Sequence, residues 1–150
     1  MKYVMINDGR EDIAKYTGDW RYNLRHGNGT MVWTNDGTKF EGIWHMDKRV
    51  RGTLTFGSSS SGTGAVSYEG EFKDDLFHGK GKLKMVDGSL YDGVFEGGNC
   101  VKFGKMLYKD GNIYFGEMNE FKRHGAGILV KPSGERIEGQ FENDMATGIS

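Results

Sequence analysis

Three histidines recur beside glycines, as His26-Gly27-Asn28-Gly29, His78-Gly79-Lys80-Gly81 and His124-Gly125-Ala126-Gly127. Imidazole is a common zinc ligand, but one ion needs its ligands within ~2.0–2.1 Å. The copies fall in alternate repeats, which an advance of about 10 Å per hairpin separates by roughly 20 Å. They cannot share a metal in one straight array and read instead as local hydrogen-bonding groups in hairpin loops. His45 is off that register and is expected to be exposed. Gly57-Ser58-Ser59-Ser60-Ser61-Gly62 has the spacing of a phosphate loop, yet Thr63-Gly64 stands where Lys-Ser/Thr is required. No helix pattern follows it to supply the dipole. Glu69 and Glu71 have the look of paired acid–base carboxylates. They fit better as outward charges facing Lys82 and Lys84 on the next strand. Cys100 has no patterned histidine partner and reads as a small hydrophobe. No catalytic, metal or cofactor constellation emerges.

The bulk properties agree. The chain has 150 residues, enough for one domain, with 36% hydrophobic and 27% charged residues. Lys+Arg number 20 and Asp+Glu 21. This near-neutral balance argues against a bulk nucleic-acid binder. A single cysteine excludes an intramolecular disulfide framework and points to an intracellular, cytoplasmic setting. The N-terminus turns acidic too soon for a secretory signal. Glycine is unusually frequent at 25 residues, against a single proline. That makes long helices costly and suits tight turns.

The elements that position these residues repeat. Aromatic-x-Gly-x-aromatic segments begin at 16, 40, 68, 91, 114 and 137, the last four spaced 23 residues apart. They pair Tyr16 with Trp20, Phe40 with Trp44, Tyr68 with Phe72, and Tyr91 with Phe95. Tyr114 with Met118 and Ile137 with Phe141 are weaker copies. The His-Gly-x-Gly element follows at a fixed offset. An Asp-Gly or Ser-Gly pair closes the unit at 36–37, 87–88, 110–111 and 133–134. Each unit reads as a β-hairpin. Aromatics and glycine alternate with polar residues at period two, and Asp-Gly supplies the turn. The glycines leave space for rings of neighbouring units to lie across the backbone. The fold class is all-β: an elongated, open-ended array of antiparallel hairpins, about five and a half repeats long, with no closed barrel. Residues 1–15 form a leading half-repeat, with Tyr3 to Ile6 as strand and Asp8-Gly9 as turn. Residues 16–150 form the array, interrupted by a Ser/Gly-rich insertion at 57–64.

The pattern Tyr-x-Gly-x-Trp/Phe, short loop, His-Gly-x-Gly, hydrophobic strand and Asp-Gly resembles the MORN repeat (membrane occupation and recognition nexus) over residues 16 to 150. Repeat two departs from it by lacking His-Gly, and repeat four by carrying Val101-Lys102. The resemblance implies a hairpin array without chemistry of its own, acting as a scaffold or interaction segment. It implies placement at cytoskeletal structures, cilia or membranes.

Three surfaces are candidates for that contact. On the outer face of repeats four and five, five of eight residues are apolar: Val94, Leu107, Phe115, Ile128 and Val130. Exposed apolar patches mark interaction surfaces. The aromatic stripe of Tyr16, Trp20, Phe40, Trp44, Tyr68, Phe72, Tyr91 and Phe95 is either the packing core or an open groove. Lys48, Arg49 and Arg51 form the basic cluster that an anionic headgroup would seek. The first expectation is therefore a non-catalytic scaffold binding another protein. The alternative is a peripheral membrane module. The last unit is expected to end before its second strand, leaving residues 137–141 as an open edge through which two copies would dimerise.

Overall fold

A computed structural model describes the backbone of residues 2–6, 14–34, 36–57 and 64–149. The described residues form one sheet of 13 strands, each hydrogen-bonded only to its neighbours in sequence, antiparallel throughout and open at both ends. The order is β1 (Lys2–Ile6), β2 (Ala14–Arg21), β3 (Leu24–Trp33), β4 (Lys39–His45), β5 (Lys48–Thr55), β6 (Ala65–Lys73) and β7 (Leu76–Met85). Then follow β8 (Leu90–Glu96), β9 (Asn99–Leu107), β10 (Ile113–Asn119), β11 (Lys122–Val130), β12 (Arg136–Glu142) and β13 (Met145–Ile149). Asp8-Gly9 and the middle of the Ser/Gly-rich insertion lie outside the described residues. The expected open edge at residues 137–141 is corrected. That strand, within β12, pairs on its far side with β13, so the edge is the short strand after it.

Two kinds of turn alternate. Between repeats, Gly37, Gly88, Gly111 and Gly134 take φ of 80° to 94°, as the Asp-Gly pattern requires. Asp36, Asp87 and Asp110 each accept the amide N–H two residues on. Within repeats, two consecutive residues adopt positive φ, as in Met46 (47°) and Asp47 (72°) or Asp74 (50°) and Asp75 (63°). These are the dihedral signs of a type I′ hairpin turn, whose twist matches that of the flanking strands.

The core forms on one face of this single sheet, around a row of glycines. Across β2 to β12 the register aligns Gly18, Gly29, Gly42, Gly52, Gly70 and Gly81, each opposite the next. Gly93, Gly104, Gly116, Gly127 and Gly139 continue the row without a break. One ring lies on each pair. Tyr16 covers Gly18 and Gly29, and Phe40 covers Gly42 and Gly52. Tyr68, Tyr91 and Tyr114 cover the three pairs that follow. The covering ring therefore belongs to the same unit as its glycines, whereas the sequence led us to expect a neighbour's ring. The cause is reach: the ring stands two residues before its first glycine on the same face and folds along its own strand. The hydroxyls of Tyr16, Tyr68, Tyr91 and Tyr114 donate to the carbonyl three residues on, at 2.8, 2.7, 3.4 and 2.7 Å. The second aromatic of each motif packs edge-on against the first, as in Phe40–Trp44 and Tyr91–Phe95, both with centroids 5.3 Å apart. It also reaches the adjacent repeat, as in Tyr16–Trp44 at 5.4 Å and Tyr68–Phe95 at 5.2 Å. Such pairs add about 0.5–1.5 kcal/mol each beyond area burial.

Two predictions follow from this packing. A Cβ on Gly127 would fall within the Tyr114 ring, whereas one on Gly148 meets only ordinary contacts with Gln140 at 3.8 Å. Gly127→Ala should lower stability by about 3 kcal/mol or more and Gly148→Ala by less than about 1 kcal/mol. Urea titration of the two variants checks the contrast. Burial pushes the hydroxyls of Tyr68 and Tyr114 up to about 12. The fold holds their protons more tightly than the unfolded chain does. Stability should be intact below about pH 10 and fall as pH rises from there through about 12. Phenolate absorbance and far-UV dichroism should then change together. Tyrosines that all titrate near pH 10 with the strands intact would contradict this.

Candidate interaction surface

The aromatic stripe is core, not an open groove. Tyr16, Phe40, Trp44, Tyr68, Phe72, Tyr91 and Phe95 are buried, and Trp20 is half-buried against Tyr16 at 4.9 Å. Rings laid flat on glycine and locked edge-to-face expose no faces for a ligand to stack on.

The basic cluster is largely committed to the array. Arg49 pairs with Asp75 at 3.0 Å and lies over the Phe72 ring at 5.0 Å. Lys48 pairs with Asp74 at 3.3 Å. Arg51 is exposed, opposite Glu71 in register. Arg49 occupies a slot that recurs at each junction between repeats, at the second residue of the hairpin's returning strand. It faces the second residue of the next repeat's type I′ turn. Arg25 fills the slot against Asp47, and Arg123 against Asp144. Where the turn has no aspartate, the slot has no arginine. Phe77 faces Gly98, whose amide donates to the Phe77 carbonyl at 3.1 Å. Cys100 accepts the Phe121 amide on Sγ at 2.9 Å. The pairs lie 21 to 26 residues apart in sequence, and nothing in the chain marks them before the register is known.

A second exchange was also missed. The carboxylates of Asp19, Glu71 and Glu117 fold over Gly27, Gly79 and Gly125. They accept the N–H of Asn28 (3.1 Å), Lys80 (2.7 Å) and Ala126 (2.6 Å). Glu71 is thus a bulge-bonding group, not a partner of a lysine ammonium, while Glu69 does face Lys82 in register. Repeats with the acid have His-Gly. Repeats two and four, with Ile43 and Val94 at that position, have neither. The glycine gives the carboxylate its space and takes positive φ, 66° at Gly79 and 95° at Gly125. The acid residue after Tyr-x-Gly was the legible signal for this pairing. His26 accepts the Met46 N–H on Nδ1 at 3.2 Å and lies 4.9 Å from the exposed His45 ring.

The outer apolar residues divide. Phe115 faces Ile128 across β10–β11, and Leu107 and Val130 both face Ile113. Val94 stands apart on β8, opposite Lys80 and Val101. Three members of the surface were not foreseen. Leu90 and Ile113 extend the Leu107–Val130 row by their register, and their parity with Leu107 could have revealed them. Phe103 is 64% exposed, beside Lys102 at φ 60°, in the irregular part of repeat four. With Phe115 (45% exposed) and Ile128 it walls an open hollow of about 420 Å³. The floor is the backbone of Gly116, Gly127 and Gly139, and Glu138 and Gln140 close the far side. The Lys105 ammonium lies 5.5 Å from the Phe115 ring centre. The hollow offers exposed rings over bare backbone, which suits holding a side chain.

Asp47 supplies a test of the junctions. Burial alone would raise its carboxyl. The Arg25 amide and guanidinium, at 2.8 and 2.9 Å, outweigh that and hold it below the usual range. Its stabilisation is present above about pH 4 and lost as pH falls through its lowered folded value. Asp47→Asn should weaken the protein at pH 7 and flatten its loss of stability on acidification, read by thermal melts from neutral to acid pH. An unchanged acid profile would show the junction to be electrostatically idle.

Comparison with known proteins fits this geometry. The MORN repeat pattern matches residues 16–38, 40–61, 68–90 and 114–136. The chain is 38% identical over 68 residues to MORN repeat-containing protein 3 of Xenopus laevis, covering 45% of this chain and 29% of that protein. It is 30% identical over 139 residues to human Alsin, covering 89% of this chain and 8% of that one. Against mouse Alsin it is 35% identical over 89 residues, covering 55% of this chain and 5% of that one. The chain thus spans less than a third of the length of these relatives. MORN repeats mediate protein or membrane interactions and are generally non-catalytic.

Proposed function

From the premise that this chain belongs to the MORN-repeat family, we propose that it is a non-catalytic scaffold that binds another protein through the outer face of β8–β11. It would link that partner, inside the cell, to cytoskeletal, ciliary or membrane-associated structures. One observation carries the reading. Phe103, Leu107 and Phe115 are exposed on a face where the strands of the earlier repeats present mostly polar side chains. The fold does not need rings there, since repeats one to three do without them. The headgroup-binding alternative has less support, because Lys48 and Arg49 already serve acidic partners within the array.

Phe115→Glu tests the scaffold reading. The residue faces outward, so the variant should keep the wild-type melting temperature and strand dichroism. It should lose the co-purifying protein, or the self-association seen by light scattering if the partner is a second copy. An unchanged set of captured proteins and an unchanged mass would refute the assignment of this face. Vesicle binding that rises with anionic lipid and collapses with salt would replace it with the membrane reading.

A further inference from the structure

One row of outward side chains runs across the sheet, just beyond the aromatic that starts each motif. Through β2 to β6 it reads Lys15, Val32, Lys39, Thr55 and Ser67, matched strand to strand. On β7 it is Lys84. It then becomes Leu90, Leu107, Ile113 and Val130 on β8 to β11 and ends in Arg136 on β12. Successive hairpins place these positions equivalently, and β4 to β7 fold with two lysines, a threonine and a serine there. Four adjacent aliphatics therefore answer to something other than the fold, and a cation stands at each end of them.

Resting on the scaffold reading above, we propose that this row seats an amphipathic α-helix of the partner protein, laid across the strands, with acidic side chains at both ends of its apolar stripe. Strands lie ~4.8 Å apart and a helix advances 5.4 Å per turn, so one turn falls near each strand. From Lys84 to Arg136 is five strand spacings, about 24 Å, the length of a roughly 16-residue helix. Phe115 and Ile128 form a second apolar row two residues along, about 7 Å away, within the width of one helix. The occupant must satisfy its own backbone. On this face every strand is already paired to its neighbours, and an extended segment would strand its amides over apolar side chains, whereas a helix does not. Charge sets the sign of the helix's ends. Lys84 faces Ser67 and Leu90, and Arg136 faces Val130 on β11, none of them a carboxylate. Asp87 and Asp110, in the turns beside the row, accept their own turn amides. A uniformly anionic membrane would meet those two carboxylates as well. A helix carries its acids only where the cations are.

Three synthetic peptides of about 18 residues with one shared apolar stripe test this. One ends in glutamates, one in lysines, and one repeats the first with a central proline. Fluorescence anisotropy against the whole chain should show the acid-ended peptide binding at least about tenfold more tightly than either other. Leu107→Ser with Ile113→Ser should abolish that binding. Lys84→Glu with Arg136→Glu should shift preference to the lysine-ended peptide. Both variants face outward, and unchanged dichroism excludes misfolding as the cause. Equal binding of the lysine-ended peptide, equal binding of the proline-broken one, or no binding by any of the three overturns the proposal. So does binding to phosphatidylserine vesicles that the Lys84→Glu, Arg136→Glu variant loses. The two readings separate in the same variants. A native partner lost by Phe115→Glu but kept by Lys84→Glu with Arg136→Glu leaves the scaffold standing and removes the helix. A partner kept by both removes the scaffold.

Discussion

A ring laid flat against a backbone forbids any side chain beneath it, and this array applies that exclusion to one pair of strands after another. Each first aromatic of a motif sits on two facing glycines, one in each strand of its hairpin. The second aromatic locks against the first and against the next repeat. A single sheet thereby acquires a core without a second layer to cover it. Most of the rest follows. The strands must keep register, because a slip of one residue would put a side chain under a ring. The glycine row must stay unbroken, and it does from β2 to β12.

Between repeats the joining is polar as well as aromatic. An arginine on one hairpin holds the turn of the next, and phenylalanine or cysteine stands in where the turn lacks its aspartate. Within a repeat, the carboxylate after Tyr-x-Gly holds the bulge of the returning strand. Repeats two and four lack both the acid and the His-Gly pair, so the departures are concerted substitutions. In repeat four the same departure leaves Phe103 in solvent beside the hollow. Irregularity there coincides with the surface proposed to hold a partner.

The fold was legible because its rules are local. Period-two alternation, glycine at a fixed place and Asp-Gly turns all lie within one 23-residue unit. The type I′ turns were not legible. Tyr22-Asn23, Met46-Asp47 and Glu120-Phe121 carry positive φ without glycine, and the hairpin's register, not residue preference, puts them there. The Arg25–Asp47 contact was hidden because its partners meet only after two strands have paired. β13 was missed because Thr147-Gly148 replaces the His-Gly pair, although Phe141 to Gly148 keeps the spacing of Phe72 to Gly79 and Gly148 lies against Gln140 as Gly79 does against Glu71. On the outer face, Leu107, Phe115, Ile128 and Val130 were legible from alternation alone. Phe103 was not, since a bulge shifts the alternation around it.

Because every strand pairs only with its sequence neighbours, force applied along the array acts across the strands rather than along them. Tension in that direction would open one ladder at a time, peeling hydrogen bonds in succession instead of shearing many together. The sheet would yield in steps of one strand and its turn, so that each repeat gives way in two steps. An array so paired would lengthen under load in graded steps, one after another along the sheet.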